Sequence, residues 1–140
     1  MVKFWYQPWG DAMTTKKRMT DVVLVEHDPF GTPYVIALAV ISGPDRHALY
    51  RIIKAETTVG RSEEADFTIE DSQISSVHLK IRVNGSLFSL IDLGSTNGTI
   101  INHNPISEGT PVRLKNYDVI HLGKTKLMFI AARFNLDTMA

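Results

Sequence analysis

The 140 residues contain no cysteine. That excludes disulfides, a thiol nucleophile and zinc held by thiolates. Charge of one sign is also lacking: 15 Lys and Arg meet 15 Asp and Glu, for a net charge of +0. A protein that grips a nucleic-acid backbone usually carries a basic surplus, because it must neutralise phosphates. No nucleic-acid partner is therefore expected. Long apolar runs are missing. The longest, Tyr34 to Ile41, falls far short of the roughly 20 residues of a membrane helix. The first residues are interrupted by Gln7, Pro8, Gly10 and Asp11 and do not read as a signal peptide. A soluble, cytoplasmic chain with no membrane partner is the expectation. The histidines (His27, His47, His78, His103, His121) show no metal-ligand spacing, so neither a metal nor a cofactor is expected. Helical periodicity does not persist anywhere for more than a turn or two.

What is there is β patterning. Leu79 to Val83 alternates strictly between apolar and charged residues, as a half-buried strand must. Asn84-Gly85 follows, a strong hairpin signal, and Leu87 to Leu93 reads as the returning strand. Further short runs recur at Tyr34–Ile41, Ala48–Ile53, Thr57–Val59, Asp66–Ile69, Thr99–Ile101, Val112–Leu114, Val119–Leu122 and Lys126–Ala131. Many short strands without helices predict an all-β fold, an antiparallel β-sandwich. The interior of a sandwich is filled by side chains, so function falls to loops at one end.

Three loop segments carry polar groups that the β pattern does not require. They are Gly60-Arg61-Ser62, Gln73-Ile74-Ser75-Ser76-Val77-His78, and Asp92 through Thr99. An arginine after a glycine at a strand end projects a planar, always-charged fork. The serines offer hydroxyl and backbone donors. In Gly94-Ser95-Thr96-Asn97-Gly98-Thr99 the glycines permit positive φ, and hydroxyls and amides can converge on an anion. Arginine, hydroxyls and loop amides together make the composition of a phosphate site.

In this order the segments resemble one family, the forkhead-associated (FHA) domain. Its pattern is matched by Gly60-Arg61, Ser75 with His78, Asp92 through Thr99, Asn102, Leu114, Asp118-Val119-Ile120 and Gly123, across residues 34–132. The resemblance implies a sandwich of about eleven strands whose loops at one end bind a phosphothreonine peptide. By the same resemblance, Arg61 pairs with the phosphate, and Ser75, Thr96 and Ser76 donate to it. Asn97 holds the peptide backbone, and Gln73 lies in the loop that helps choose the ligand's neighbouring residues. Gly60, His78, Gly94 and Asn102 are structural. The partner would be a threonine-phosphorylated protein, a product of a Ser/Thr kinase. The chain departs from the family pattern at three positions. Ser76 stands where Arg, Lys or Asn is frequent, and His103 and Tyr117 stand where Gly is usual. The last two put turn geometry in question.

Catalysis is not expected. Ser75 and His78 sit three apart where a strand begins, which aims them at opposite faces, and no nucleophile elbow is present. Asp92 more naturally ties down its own loop. Gly123-Lys124-Thr125 copies the end of a phosphate-binding P-loop, but Asp118 occupies the position of that motif's first glycine.

Residues 1–33 form an irregular leader ahead of the sandwich, and 133–140 a short tail. Val22 to Val25 reads as a short strand. Trp5, Tyr6 and Trp9 are the anchors that interfaces use, which leaves open an alternative: a phosphate-independent scaffold or oligomerisation protein working through the leader. Thr14, Thr15 and Thr20 flank Lys16-Lys17-Arg18. Phosphorylated, one of them would allow self-interaction, within one chain or between two. A flexible tether from Thr20 to Pro33 reaches roughly 20 Å.

Overall fold

The computed structural model describes residues 34–133, Arg133 by its backbone alone. The leader's strand, aromatic anchors and threonines, and the tail beyond Arg133, lie outside the described residues. Eleven strands follow one another: β1 (Tyr34–Ser42), β2 (Leu49–Arg51), β3 (Glu56–Gly60), β4 (Phe67–Thr68), β5 (Leu79–Asn84), β6 (Leu87–Asp92), β7 (Ile100–Ile101), β8 (Asn104–Pro105), β9 (Val112–Leu114), β10 (Val119–Leu122) and β11 (Thr125–Arg133). They form two sheets, ordered β2-β1-β11-β10-β7-β8 and β4-β3-β5-β6-β9. The expected all-β sandwich is present, with one departure: β3 and β4 pair in parallel, Val59 against Phe67. β8 was not expected. It is a two-residue, exposed segment containing Pro105, which fits an edge position, where a missing N–H costs no ladder bond.

Alternation sets which side chains enter the core. In β5, Leu79, Ile81 and Val83 point inward and Lys80 and Arg82 outward. Leu38, Tyr50, Leu90, Ile120, Leu127 and Phe129 are fully buried. Rings join the two sheets across this core. Tyr50 of β2 stacks on Phe67 of β4 at 4.9 Å, and Phe88 of β6 tilts against Phe129 of β11 at 5.4 Å. Each such pair contributes about 0.5–1.5 kcal/mol beyond its burial. The β5–β6 hairpin forms as the sequence indicates, but Asn84 pairs with Leu87, so the two-residue loop is Gly85-Ser86. Gly85 has φ +63°, the glycine-first arrangement of a type II′ turn.

Candidate functional site

The loops that follow β3, precede β5 and follow β6 meet at one end of the five-stranded sheet. Backbone bonds fasten the first two: Arg61 N–H donates to the Ser75 carbonyl at 2.9 Å, and Ser62 N–H to the Ser76 carbonyl at 3.1 Å. This contact explains Gly60. A Cβ on it would lie 2.1 Å from the Ser76 carbonyl oxygen, inside any allowed contact. Only glycine lets the two backbones approach this closely.

Arg61 is exposed, and its Nε donates to the Ile74 carbonyl at 2.9 Å. That bond fixes the stem of the side chain. Among the described residues, no hydrogen bond or ion pair engages the two terminal nitrogens of the fork. Ser75 bridges to the third loop, because its Oγ accepts the Thr96 N–H at 3.0 Å. As an acceptor there, the hydroxyl retains its own hydrogen for donation. Asn97 Nδ2 donates to the Gln73 carbonyl at 2.9 Å, which clasps the second and third loops again. Gln73, Ser76, Thr96 and Asn97 are all exposed. The structure thus brings Arg61, Gln73, Ser75, Ser76, Thr96 and Asn97 onto three mutually fastened loops.

Beneath them sits His78, fully buried. Its Nδ1 accepts the Ser75 N–H at 3.0 Å. That nitrogen is therefore unprotonated, and Nε2 carries the hydrogen, donated to the Gly98 carbonyl at 2.9 Å. Burial pushes the imidazole below its ordinary pKa of 6.5, and the nearby Gly98 carbonyl, Asp92 and Asp71 only partly oppose it. A neutral imidazole, 4.0 Å from the Asp92 carboxylate, forms no ion pair. Nor does it address the Ser75 hydroxyl, so no Ser-His relay is assembled.

Asp92 organises the third loop. Oδ1 accepts the N–H groups of Gly94 and Ser95 at 2.9 Å each, and Oδ2 accepts the hydroxyls of Ser95 at 2.7 Å and Thr99 at 2.6 Å. Ser95 Oγ in turn accepts the Gly98 N–H at 3.0 Å. Burial alone would raise the carboxyl's pKa, but these donors outweigh it and hold it low. A charged hub of this kind stiffens the loop that presents Thr96 and Asn97. Gly94 has φ +81° and is exposed.

Asp71 was not noted from the sequence, and Ser95, Thr99 and Thr125 were noted only as parts of a polar loop and of a Gly-Lys-Thr triplet, not as partners of a buried carboxylate. Buried Asp71 accepts the Gln73 N–H through Oδ1, and the Lys124 N–H (2.7 Å) and Thr125 hydroxyl (2.8 Å) through Oδ2. It fastens the second loop to the β10–β11 turn. A Cβ on Gly123 would stand 2.9 Å from that carboxylate. The Gly-Lys-Thr triplet thus receives a carboxylate. Asn102 lies apart from the exposed loops. Its amide bonds Asp118 Oδ1 at 2.8 Å and the Val119 N–H at 2.9 Å, locking β7 to β10.

The FHA domain family model matches residues 57–123. The oxoglutarate dehydrogenase inhibitor of Corynebacterium jeikeium is 33% identical over 101 residues, 71% of this chain and 68% of that protein. The chain belongs to the FHA domain family. The glycogen accumulation regulator GarA of Mycolicibacterium smegmatis is 32% identical over 101 residues, 71% of this chain but only 62% of GarA. The chain thus spans less than two thirds of that relative. Among solved structures, an FHA domain from a structural and functional analysis of phosphothreonine-dependent interactions superposes with a TM-score of 0.64. It is 29% identical and covers 71% of this chain and 99% of that one. The named relatives are an inhibitor and a regulator. Among the described residues, no helix is long and apolar enough to cross a membrane.

Proposed function

We propose that this FHA domain recognises threonine-phosphorylated segments of a partner protein and performs no catalysis. The observation that carries the reading is the state of Arg61. Its Nε is anchored on the Ile74 carbonyl, while among the described residues no hydrogen bond or ion pair engages its two remaining nitrogens, and the loops that carry Ser75, Ser76 and Thr96 are fastened to its own and to each other. A phosphothreonine brings roughly −1.5 to −2 charges near neutral pH and three strong acceptor oxygens. A fork and two or three hydroxyls match those acceptors. Asn97 and Gln73, on the same loops, would meet the peptide around the phosphate. A hydrogen bond to a charged group nets about 1.5–3 kcal/mol. Allowing for the cost of ordering a peptide, micromolar affinity, about −8 kcal/mol, is expected.

The non-catalytic part of the reading rests on His78. Its two nitrogens are both committed to backbone groups, so the imidazole offers no proton acceptor to the Ser75 hydroxyl. The test is a titration of a degenerate phosphothreonine peptide library and its unphosphorylated twin against the full chain. Binding only to the phosphorylated library supports the proposal. Equal binding to both overturns it and favours a phosphate-independent scaffold.

A further inference from the structure

The outer faces of the two sheets differ in kind. On the five-stranded sheet, the residues turned away from the core include Glu56, Thr58, Lys80, Arg82, Ser89 and Arg113. Glu56 there binds both Lys80 (3.2 Å) and Arg82 (3.1 Å). Apart from buried Ile91, the cross-strand partner of Lys80, this is the surface of a sheet that faces water. On the six-stranded sheet, β1, β10 and β11 place Leu38, Val40, Ile120, Leu127 and Phe129 in the core. Strict alternation then turns Ala39, Ile41, Val119, Met128 and Ile130 outward. That row is apolar and continuous across three neighbouring strands.

Two further observations point to a cover on this face: a deeply buried arginine toward one end, and at the other an apolar cleft that is still open, with Ile41 45% exposed. Ala37 and Arg51 are a cross-strand pair on it, opposite to the core pair Leu38 and Tyr50. They are 1% and 6% exposed. Arginine is rarely buried to this degree on the open side of a sheet. At the far end of the same face, Ile41, Ile100 and Val119, rimmed by His103, His121 and Lys126, enclose a cleft of about 320 Å³. That is at the floor of the range of about 300–1,000 Å³ seen for small-molecule sites, and suits one large side chain.

We propose that residues 1–33 of this chain form that cover, docking their apolar side chains on the outer face of the six-stranded sheet. The leader joins this sheet directly, because β1 begins at Tyr34. It carries suitable groups, Val22-Val23-Leu24-Val25 and the aromatics Phe4, Trp5, Tyr6 and Trp9. It is also long enough. From Tyr34 to the cleft at Ile41, β1 rises about 23 Å at about 3.3 Å per residue. The nine steps from Val25 back to Tyr34 span up to about 30 Å when extended. The valine run reaches any point on the face, and the tryptophans have a further slack of chain. Lys16, Lys17 and Arg18 between the two groups remain on the water side.

The absence of cysteine makes a single-site spin label straightforward. A nitroxide is attached to Thr15→Cys in the full chain, and its broadening of backbone amide signals is recorded. Ala39, Val119, Met128 and Ile130 are expected to lose most of their intensity, while Lys80, Arg82 and Ser89 keep theirs. Met128→Lys, once a dispersed spectrum has shown that it folds, should restore the lost signals. A mixture of spin-labelled chain with isotope-labelled, nitroxide-free chain should show no broadening. Broadening that appears in the mixture would mean that a second copy covers the face. Either that result, or broadening that is absent or equal on both faces, overturns the proposal.

Discussion

The Nδ1 atom of His78 accepts the backbone N–H of Ser75 at 3.0 Å. A residue with no exposed surface thus sets the position of a residue that is on the surface. The bond exists only while the ring is neutral, because a protonated Nδ1 would point a hydrogen at a donor.

Stability should therefore depend on pH in a defined window. The unfolded histidine titrates near its ordinary value of 6.5, and burial holds the folded one below it. As pH falls below 6.5, the unfolded chain takes up a proton that the folded chain refuses. Stability is then at its full value above that pH and declines as pH drops toward the folded pKa. The low pKa values of Asp71 and Asp92 add a second decline below the usual carboxylate range. Urea unfolding across this span, with the His78 ring followed by NMR, should show the ring of the folded chain titrating below its ordinary value of 6.5. A ring half protonated at 6.5 would contradict this.

Gly60 should tolerate no side chain. With the Ser76 carbonyl 2.1 Å from the position of a Cβ, Gly60→Ala must separate the first two loops or unfold the chain. A cost of about 3 kcal/mol or more is expected, in the upper part of single-mutant effects. Gly98→Ala has no neighbour within 4 Å but a φ of +83°, so about 1 kcal/mol is expected from backbone strain alone. Chemical denaturation of both variants checks the ranking.

Tyr117 should be improvable. Its φ is +75° and its side chain is 66% exposed, so it bears left-handed strain with little packing in return. The strain costs about 1–2 kcal/mol, partly offset by the greater chain entropy of glycine. Tyr117→Gly is expected to stabilise by about 0.5–1 kcal/mol, with the bond from its N–H to the Phe129 carbonyl kept. Thermal unfolding measures the gain. His103, at φ +72°, resolves the same question about turn geometry: a side chain occupies a conformation in which glycine would be relaxed.

The sequence made the β pattern and the three loops legible because both are local. Alternation over Leu79–Val83 and the run Asp92–Thr99 are read within a few residues, and so was Asp92's hold on its own loop. What it could not show are contacts between distant segments. Asp71 and Thr125 lie 54 apart, and nothing local marks them as partners. The parallel pairing of β3 with β4 and the Arg61 bond to Ile74 likewise depend on how the loops stack. Asn84-Gly85 announced a hairpin, but the cross-strand register shifted the turn to Gly85-Ser86.

The most direct test of the phosphate-reading site is to remove the fork and leave its bed. Arg61→Ala keeps the backbone bond to Ser75 and deletes the charge. Calorimetric titration of the full chain and this variant with one phosphothreonine peptide chosen from the library should show affinity reduced by roughly 30-fold or more, as loss of about 2–3 kcal/mol requires. Unchanged affinity in a folded Arg61→Ala variant would contradict the account and place the ligand elsewhere on the domain.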